Sequence, residues 1–271
     1  MLETLRTYWG HPSFRPMQSE VISSILRGRD TLALMPTGAG KSIIYQLPTL
    51  MQDGLCIVVT PLIALMKDQV DRLRKRSISA VAIHSGLSPR QIDIALDNCV
   101  YGDVKFLYLA PERLGSEAFR LRLDKMRVSL LAIDEAHCIS QWGYDFRPSY
   151  LRIAEIRRLI PDTPVLALTA SATDKVAADI MDKLRFDTPN IFRSSFARPN
   201  LQYVVRHVDD KNEQLLRIIE KVQGSGIVYM RTREGTERVA ALLRENGISA
   251  DHYHGGLGHA DRDMRQTAWT E

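Results

Sequence analysis

The sequence predicts an α/β protein whose parallel sheet carries helices on both faces. Short apolar runs recur along the chain, each run is followed by a polar break, and each break is followed by a helical pattern. Uninterrupted apolar runs are typical of strands buried on both faces, as they are when helices cover a parallel sheet. The runs are TLALM at 31–35, LCIVVT at 55–60, FLYLA at 106–110, LLAID at 130–134 and VLALTA at 165–170.

Each predicted strand leads into residues that can carry chemistry. In chain order these segments are PTGAGKS, PLIALMKDQ, PERL, DEAH and SAT. Ligands of open α/β sheets bind at the carboxyl ends of the strands. We therefore expect the five segments to meet at one edge of the sheet and to form the functional site there.

A second domain is predicted after this sheet, because 271 residues exceed what one hydrophobic core usually holds. The stretch DTPNIFRSSFARPN, at 187–200, is interpreted as the connection, so the predicted domains are 1–196 and 197–271. A domain with about three strands is too small to cover its own sheet, so the second domain is predicted to be incomplete. Its predicted strands are 201–206, 226–230 and 250–254, and its helices lie at about 210–222, at about 234–246 and at the end.

Composition is that of an ordinary globular protein, with 45% hydrophobic and 25% charged residues. No apolar run approaches the ~18 residues of a membrane span, and the start, MLETLRTYWG, lacks the pattern of a signal peptide. The three cysteines are odd in number and far apart, which argues against a disulfide framework. We expect a cytoplasmic protein with no membrane partner. The net charge of +4 only mildly favours a polyanionic partner.

A phosphate-binding loop is predicted at 35–42, MPTGAGKS, which follows a strand and opens a helix. Backbone N–H groups of such a loop wrap phosphates, the lysine reaches the β and γ phosphates, and the serine hydroxyl can ligate Mg²⁺. Met35 stands where the general pattern has glycine, and an ordinary strand-to-helix turn is the alternative. The candidate nucleotide ligands are Thr37, Gly38, Ala39, Gly40, Lys41 and Ser42, with Ser42 also a candidate for the metal.

The segment DEAH, 134–137, supplies two carboxylates at the end of another predicted strand. Asp134 is expected to hold Mg²⁺ through its water shell, and Glu135 to orient and deprotonate an attacking water. A helix start capped by Asp134 explains one carboxylate but not two. Together with the phosphate loop, this segment predicts an NTP hydrolase.

These residues resemble superfamily-two helicases, and specifically RecQ-type DNA helicases. The resemblance runs through FRPMQ, MPTGAGKS, VVTPLIALMKDQV, HSG, LYLAPERL, IDEAHCISQWGYDFRPSY, LALTASAT, ARPNL, GIVYM and YHGGL, in the family's order. It implies two RecA-like motor domains, the second of them partial here. It also implies ATP and Mg²⁺ as cofactors, and 3′ to 5′ unwinding of partially duplex DNA from a single strand, in recombination and repair. For a bacterial member it implies association with the nucleoid, and we expect a monomer.

The resemblance also assigns roles around the nucleotide. Gln18 is expected at the base edge, with Arg15 and His11 available to stack on the base, whereas without the family these are ordinary surface residues. His137 joins the catalytic set. Thr169, Ser171 and Thr173 resemble the motif that links the γ-phosphate to domain closure, although Thr173 can also cap a helix.

On the DNA side, the resemblance places Lys67, Gln69 and Arg113 near the DNA backbone, with a surface ion pair as the alternative for Arg113. The aromatic-rich loop after DEAH is expected to couple DNA to hydrolysis, because bases stack on aromatic rings with about 1–3 kcal/mol each. Trp142 could instead plug a gap between the sheet and a helix. The loop's candidates are Gln141, Trp142, Phe146 and Arg147.

Three further expectations concern alternatives and the end of the chain. A non-catalytic module that binds ATP or single-stranded DNA, and an RNA-directed helicase, are the other functions considered, and the aromatic-rich loop argues against the second. The chain stops at QTAWTE, where the family's arginine finger is expected next, so we expect this chain to bind ATP but to hydrolyse it slowly and not to unwind duplex. His252 and His254 share a strand face without an evident third ligand, which favours a structural role over a metal site.

Overall fold

The computed structural model describes residues 1–195, 197 and 200–270, with the side chain of His259 left out. The chain divides into two compact units, Met1–Arg198 and Pro199–Glu271. The predicted domain boundary falls next to residue 196, which lies outside the described residues.

The first unit is built on a seven-stranded sheet in which every pairing is parallel. The order across the sheet is β3-β4-β2-β5-β6-β1-β7. The strands are β1 Thr31–Leu34, β2 Leu55–Val59, β3 Ala80–Ile83, β4 Phe106–Leu109, β5 Val128–Ile133, β6 Val165–Thr169 and β7 Ile191–Arg193.

Helices cover both faces of this sheet. Alternate residues along each strand enter two separate apolar cores, as the pleat requires: Leu34 and Ile57 lie in one core, and Ala33 and Val58 in the other. The predicted parallel sheet with helices on both faces is confirmed. The helices of this unit are α1 Leu2–Trp9, α2 Gln18–Leu26, α3 Lys41–Leu50, α4 Ile63–Arg74, α5 Pro89–Tyr101, α6 Glu117–Leu123, α7 Ile153–Leu159 and α8 Asp174–Lys183, and three short 3₁₀ helices are Pro111–Gly115, Ala136–Ile139 and Pro148–Arg152.

Two strands were not predicted. The strand β3 is a four-residue run that joins the outer edge of β4. The strand β7 lies inside the segment interpreted as a connection, where it pairs with β1 through Leu32 and Ile191. Because β7 is an edge strand of three partly exposed residues flanked by Pro, Asn and Ser, its sequence carries little of the apolar signal that marks the inner strands.

A buried ion pair joins strands at the amino edge of the sheet. The guanidinium of Arg157 donates to the carboxylate of Asp30 and to the carbonyl of Thr163 (2.9 Å), and Asp30 also accepts from the Val165 N–H (2.9 Å). Burial raises the pKa of Asp30, and the Val165 N–H and the charge of Arg157 oppose that rise. The pair therefore ties the starts of β1 and β6 to α7.

The second unit contains α9 Lys211–Lys221, α10 Arg233–Glu245 and α11 His259–Thr270, close to the predicted helices. The strands predicted at 201–206, 226–230 and 250–254 are wrong, because the described residues of this unit form none. A strand requires a hydrogen-bonding neighbour, and the side chains in two of these segments lie in solvent, with Tyr203 87% and Tyr229 89% exposed. Throughout the described ranges, no helix combines the length and apolarity needed to cross a membrane.

Candidate active site

The phosphate loop connects β1 to α3 at the carboxyl edge of the sheet. Gly38 and Gly40 adopt φ of +84° and +81°, a region that glycine enters without steric cost. The helix α3 then begins at Lys41, so the N–H groups of its first turn are open toward the loop. This arrangement is the one that binds phosphate at a helix N-terminus.

Arg15 and Gln18 form hydrogen bonds to the backbone of this loop. The Arg15 side chain donates to the carbonyl of Gly38, and the Gln18 amide donates to the carbonyls of Ala39 and Gly40, both at 3.2 Å. The Gln18 carbonyl accepts from the Arg15 N–H (2.9 Å), and the side chain is only 2% exposed. A Cβ at Gly40 would lie 2.4 Å from the Gln18 nitrogen. In this structure Gln18 therefore contacts the loop backbone rather than presenting its amide outward.

The two carboxylates of DEAH follow β5. Asp134 donates its N–H to the carbonyl of Val59 (2.8 Å), and its carboxylate accepts from the Glu135 N–H (3.0 Å). Burial and the neighbouring Glu135 raise the pKa of Asp134, while the charge of Lys41 opposes the rise. Lys41 is thus close enough to act on the carboxylate. Glu135 adopts φ +48°, which directs the chain sharply away from the strand.

The residues around the loop fit a divalent cation that prefers oxygen ligands. Ser42 lies in the first turn of α3, and the ring hydroxyl of Tyr45, three residues further on, lies 3.2 Å from that of Tyr108. The charge of Asp134 acts on both tyrosines, so this carboxylate faces the same interior region. A hydroxyl and a carboxylate are the hard oxygen donors that Mg²⁺ uses alongside water and phosphate.

His137 connects DEAH to the segment after β6. It is 3% exposed, and hydrogen bonding joins its Nδ1 to Thr169 Oγ1 (2.8 Å), with Glu135 Oε2 at 3.3 Å. Thr169 Oγ1 also accepts from the Ser171 N–H (3.2 Å). Burial lowers the pKa of His137; the charge of Asp145 opposes this, and the charges of Lys41 and Arg147 add to it. The net direction favours the neutral ring, which lies between DEAH and the segment after β6.

The aromatic-rich loop packs directly on His137 through Tyr144, which was not among the predicted site residues. The two rings stack with centroids 4.6 Å apart and planes at 23°. The Ser171 hydroxyl donates to the Tyr144 hydroxyl (3.3 Å). Tyr144 is 78% exposed, so only one face of its ring is covered. The sequence signal for it was its position in the loop, which alone does not distinguish it from its aromatic neighbours.

Trp142 lies at the outer part of the loop and is 61% exposed, so it does not fill a gap in the core. The ammonium of Lys175, in the first turn of α8, lies 3.1 Å from the centre of its ring. Gln141 is exposed and Phe146 is partly buried. The loop thus presents an aromatic side chain to solvent beside a cation.

The base of the loop is fixed by polar contacts. Arg147 donates from two nitrogens to Asp145 (2.8 and 3.1 Å), and its backbone N–H donates to the carbonyl of Cys138 (2.8 Å). Further on, the hydroxyl of Tyr150 donates to the carbonyl of Asp134 (3.0 Å), and Tyr150 is fully buried. Arg147 is consequently engaged within the loop in this structure.

The remaining predicted residues lie on the same unit. Thr173 caps α8 by accepting from the Val176 N–H (3.4 Å), which is the capping role considered for it in the sequence. Arg113 donates to the carbonyl of His84 (3.2 Å), and Gln69 accepts from the Gln46 amide (3.2 Å). Lys67 and His11 are exposed, and Thr37 lies within the phosphate loop.

In the second unit, Glu237 supplies the acidic group that the sequence did not pair with the two histidines. The rings of His252 and His254 stack at 5.5 Å. The Gly256 N–H donates to His254 Nδ1 (3.2 Å), which leaves the ring proton on Nε2, 3.0 Å from the Glu237 carboxylate. A hydrogen bond between His254 and Glu237 explains this geometry better than a metal site. A metal bound to His254 Nε2 would move the ring proton to Nδ1, where it would face the N–H of Gly256.

The buried His137 is expected to make stability depend on pH. Because its folded-state pKa lies below 6.5, the unfolded state binds more protons as the pH falls below 6.5. The free energy of unfolding should therefore fall through that window, by up to about 1.4 kcal/mol per pH unit from this residue, and level off above it. Urea unfolding of the parent and of His137→Gln, at a series of pH values, measures the difference.

The control for this measurement is His11→Gln, an exposed histidine of the same unit. It should leave the pH dependence of the parent unchanged. A His137→Gln variant with the same pH dependence as the parent would contradict the account of His137 as a buried neutral ring.

The fold and the segments at the carboxyl edge of the sheet are those of a helicase family. Residues 15–180 match the family model described as "DEAD/DEAH box helicase", and the chain belongs to that family. The resemblance to RecQ-type helicases is confirmed along the chain. It is 40% identical over 99% of its length to the ATP-dependent DNA helicase RecQ of Pasteurella multocida, and 43% identical over 97% to RecQ of Bacillus subtilis.

The chain spans only 43% and 45% of these two relatives. Among solved structures it is similar to the Mycobacterium smegmatis helicase Lhr bound to ssDNA and AMP-PNP. That similarity has a TM-score of 0.69 at 19% identity, and it covers 98% of this chain and 39% of Lhr. At this identity the structural similarity supports the fold alone.

Proposed function

We propose that the chain is the motor portion of an ATP-dependent DNA helicase of the RecQ type. The whole helicase of which this chain is a part binds ATP with Mg²⁺ and couples hydrolysis to 3′ to 5′ movement on single-stranded DNA and to opening of adjoining duplex, in recombination and repair. This chain by itself is proposed to bind ATP and DNA, to hydrolyse ATP slowly and not to unwind duplex. The observation that carries this proposal is the continuous contact from Glu135 to His137 and from His137 to Tyr144, which joins a hydrolytic carboxylate to an exposed aromatic loop.

In the nucleotide site, each residue has a role that follows from its chemistry. The loop N–H groups and Lys41 bind the phosphates, Ser42 and Asp134 would hold Mg²⁺ and its water shell, and Glu135 orients and deprotonates the attacking water. Mg²⁺ neutralises charge on the phosphates when it is bound. Arg15 and Gln18 position the phosphate loop, and contact with a base is proposed to follow from a rearrangement of these side chains.

On the DNA side, Trp142 and Phe146 stack on bases, and Arg147 adds a charge once it leaves Asp145. Lys67, Gln69 and Arg113 contact the backbone. The relatives' names, which include "ATP-dependent DNA helicase", support this assignment. Residues 1–196 are proposed as the first RecA-like motor domain and 197–271 as part of the second, in a chain that acts as a monomer.

Coupling through the loop is tested by Trp142→Ala. Steady-state ATPase of the 271-residue chain should be slow, and any increase that single-stranded DNA produces should be lost in the variant, whose ATPase without DNA should stay at the parent level. The physical reason is that a base needs an aromatic face to stack on, and stacking is worth about 1–3 kcal/mol per base, or about 5- to 150-fold in affinity.

The matched control is Trp269→Ala, a tryptophan of similar exposure (57%) in α11. Loss of stimulation in both variants would contradict the role of the loop. Residual ATPase in Glu135→Gln equal to that of the parent would favour a non-catalytic binding module instead.

A further inference from the structure

The contact between Lys175 and Trp142 lies outside the catalytic residues and has no role yet. The Lys175 ammonium is 3.1 Å from the ring centre, which places the charge over the face of the indole rather than at its edge. An aromatic face carries negative quadrupole density and attracts a cation there. Both side chains are exposed, so the contact is accessible from solvent.

The position of Lys175 on its helix makes this contact informative. Lys175 is in the first turn of α8, where the helix dipole disfavours a positive charge. The carboxylate one turn further on, Asp179, is bonded to Lys183 at 2.8 Å. The indole face of Trp142 offsets the charge of Lys175 at this helix end, together with the carboxylate charge of Asp179, which also acts on Lys175.

Lys175 and a nucleic-acid base compete for the same surface. The proposed function requires a base to stack on Trp142, and the inference here rests on that requirement. A ring face accepts either an ammonium at 3.1 Å or a stacked base, but not both. We propose that Lys175 is a latch that holds the aromatic-rich loop in its DNA-free arrangement and is displaced when the first base stacks on Trp142.

The loop is attached to the segment after β6 at two points. Near its base, Tyr144 stacks on His137 and accepts from the Ser171 hydroxyl, and further out Trp142 meets Lys175. Displacing the outer contact releases the tip of the loop while the inner contact still leads to His137.

The test measures binding of a fluorescein-labelled oligothymidylate to the 271-residue chain by anisotropy. Lys175→Met removes the charge but keeps the length of the side chain, so it should raise affinity about two- to fivefold, the factor expected for losing an exposed cation–π competitor. Lys175→Arg keeps the cation and should bind like the parent. Lys183→Met makes the same change of charge on the same helix and should not bind more tightly.

The second half of the test repeats Lys175→Met in a Trp142→Ala background, where the increase should disappear because there is no ring to uncover. The opposite result would overturn the latch: Lys175→Met weakens binding by the same factor with and without Trp142, and the slope of log affinity against log salt falls by about 0.7. That is the behaviour of a phosphate contact alone.

The latch and the proposed function fail in different ways. Parent binding that depends on Trp142 but does not change in Lys175→Met would overturn the latch and leave the helicase proposal intact. No binding of the oligothymidylate by the parent chain would overturn both, because displacement by DNA defines the latch.

Discussion

Replacing Glu135 by Gln is expected to lower ATP turnover by about 10²- to 10⁴-fold, the contribution of a positioned general base, while ATP affinity stays within a few fold. The carboxylate follows Asp134 at the end of β5 and lies 3.3 Å from His137 Nδ1. The amide keeps the size and hydrogen-bonding reach of the side chain but cannot accept a proton from water. Steady-state turnover and binding of a fluorescent ATP analogue measure the two quantities separately.

Glu117→Gln is the matched control for this change, since Glu117 is an exposed carboxylate in the first turn of α6. It should leave both turnover and binding at parent values. A Glu135→Gln variant that keeps the parent's turnover would show that another group deprotonates the water, and one that loses ATP binding would show that Glu135 shapes the site rather than acting as a base.

Replacing Arg157 by Met is expected to lower the free energy of unfolding by about 3–5 kcal/mol, because it leaves the buried carboxylate of Asp30 without its charged partner. Arg157 is 8% exposed and bonds to Asp30 and to the carbonyl of Thr163. Methionine fills much of the same volume, so the cost reports the lost charge more than a cavity. Urea unfolding followed by far-UV circular dichroism measures the change in unfolding free energy.

The double variant Asp30→Asn with Arg157→Met provides the control, since it removes both charges and should recover part of the loss. The single variant should also lose less stability at acidic than at alkaline pH. Without Arg157 the already raised pKa of Asp30 rises further, and the carboxyl can then take up a proton instead of remaining charged. A single variant as stable as the parent at pH 8 would contradict the structural role of the pair.

Local patterns in the sequence predicted the inner sheet and the segments that follow it. The runs that became β1, β2, β4, β5 and β6 are continuous and apolar because helices cover both of their faces. The phosphate loop was predictable for the same reason: its glycines and Lys41 are adjacent in sequence, and their backbone conformations depend on few distant contacts.

Contacts between distant segments were not predictable in the same way. Tyr144 reaches His137 and Ser171, and Lys175 reaches Trp142, only because two loops after neighbouring strands run side by side. The engagement of Gln18 with the phosphate loop likewise depends on how α2 packs against α3. In the second unit, the alternating pattern at 201–206 suggested a strand. Alternation indicates that a segment can adopt a strand conformation, but a strand also needs a neighbouring strand with which to form hydrogen bonds.

The hydrogen bond from Tyr150 to the carbonyl of Asp134 has a consequence for how the segment between these residues can vary. It joins two residues that lie sixteen positions apart in sequence, at 3.0 Å, from a side chain that is fully buried. The sheet is therefore anchored at both ends of this segment, and the buried residues 136–139 pack against its core. Exchanging only residues 141–146, which are exposed or partly exposed, for those of a related protein should transfer the contact properties of the loop while the sheet keeps its register.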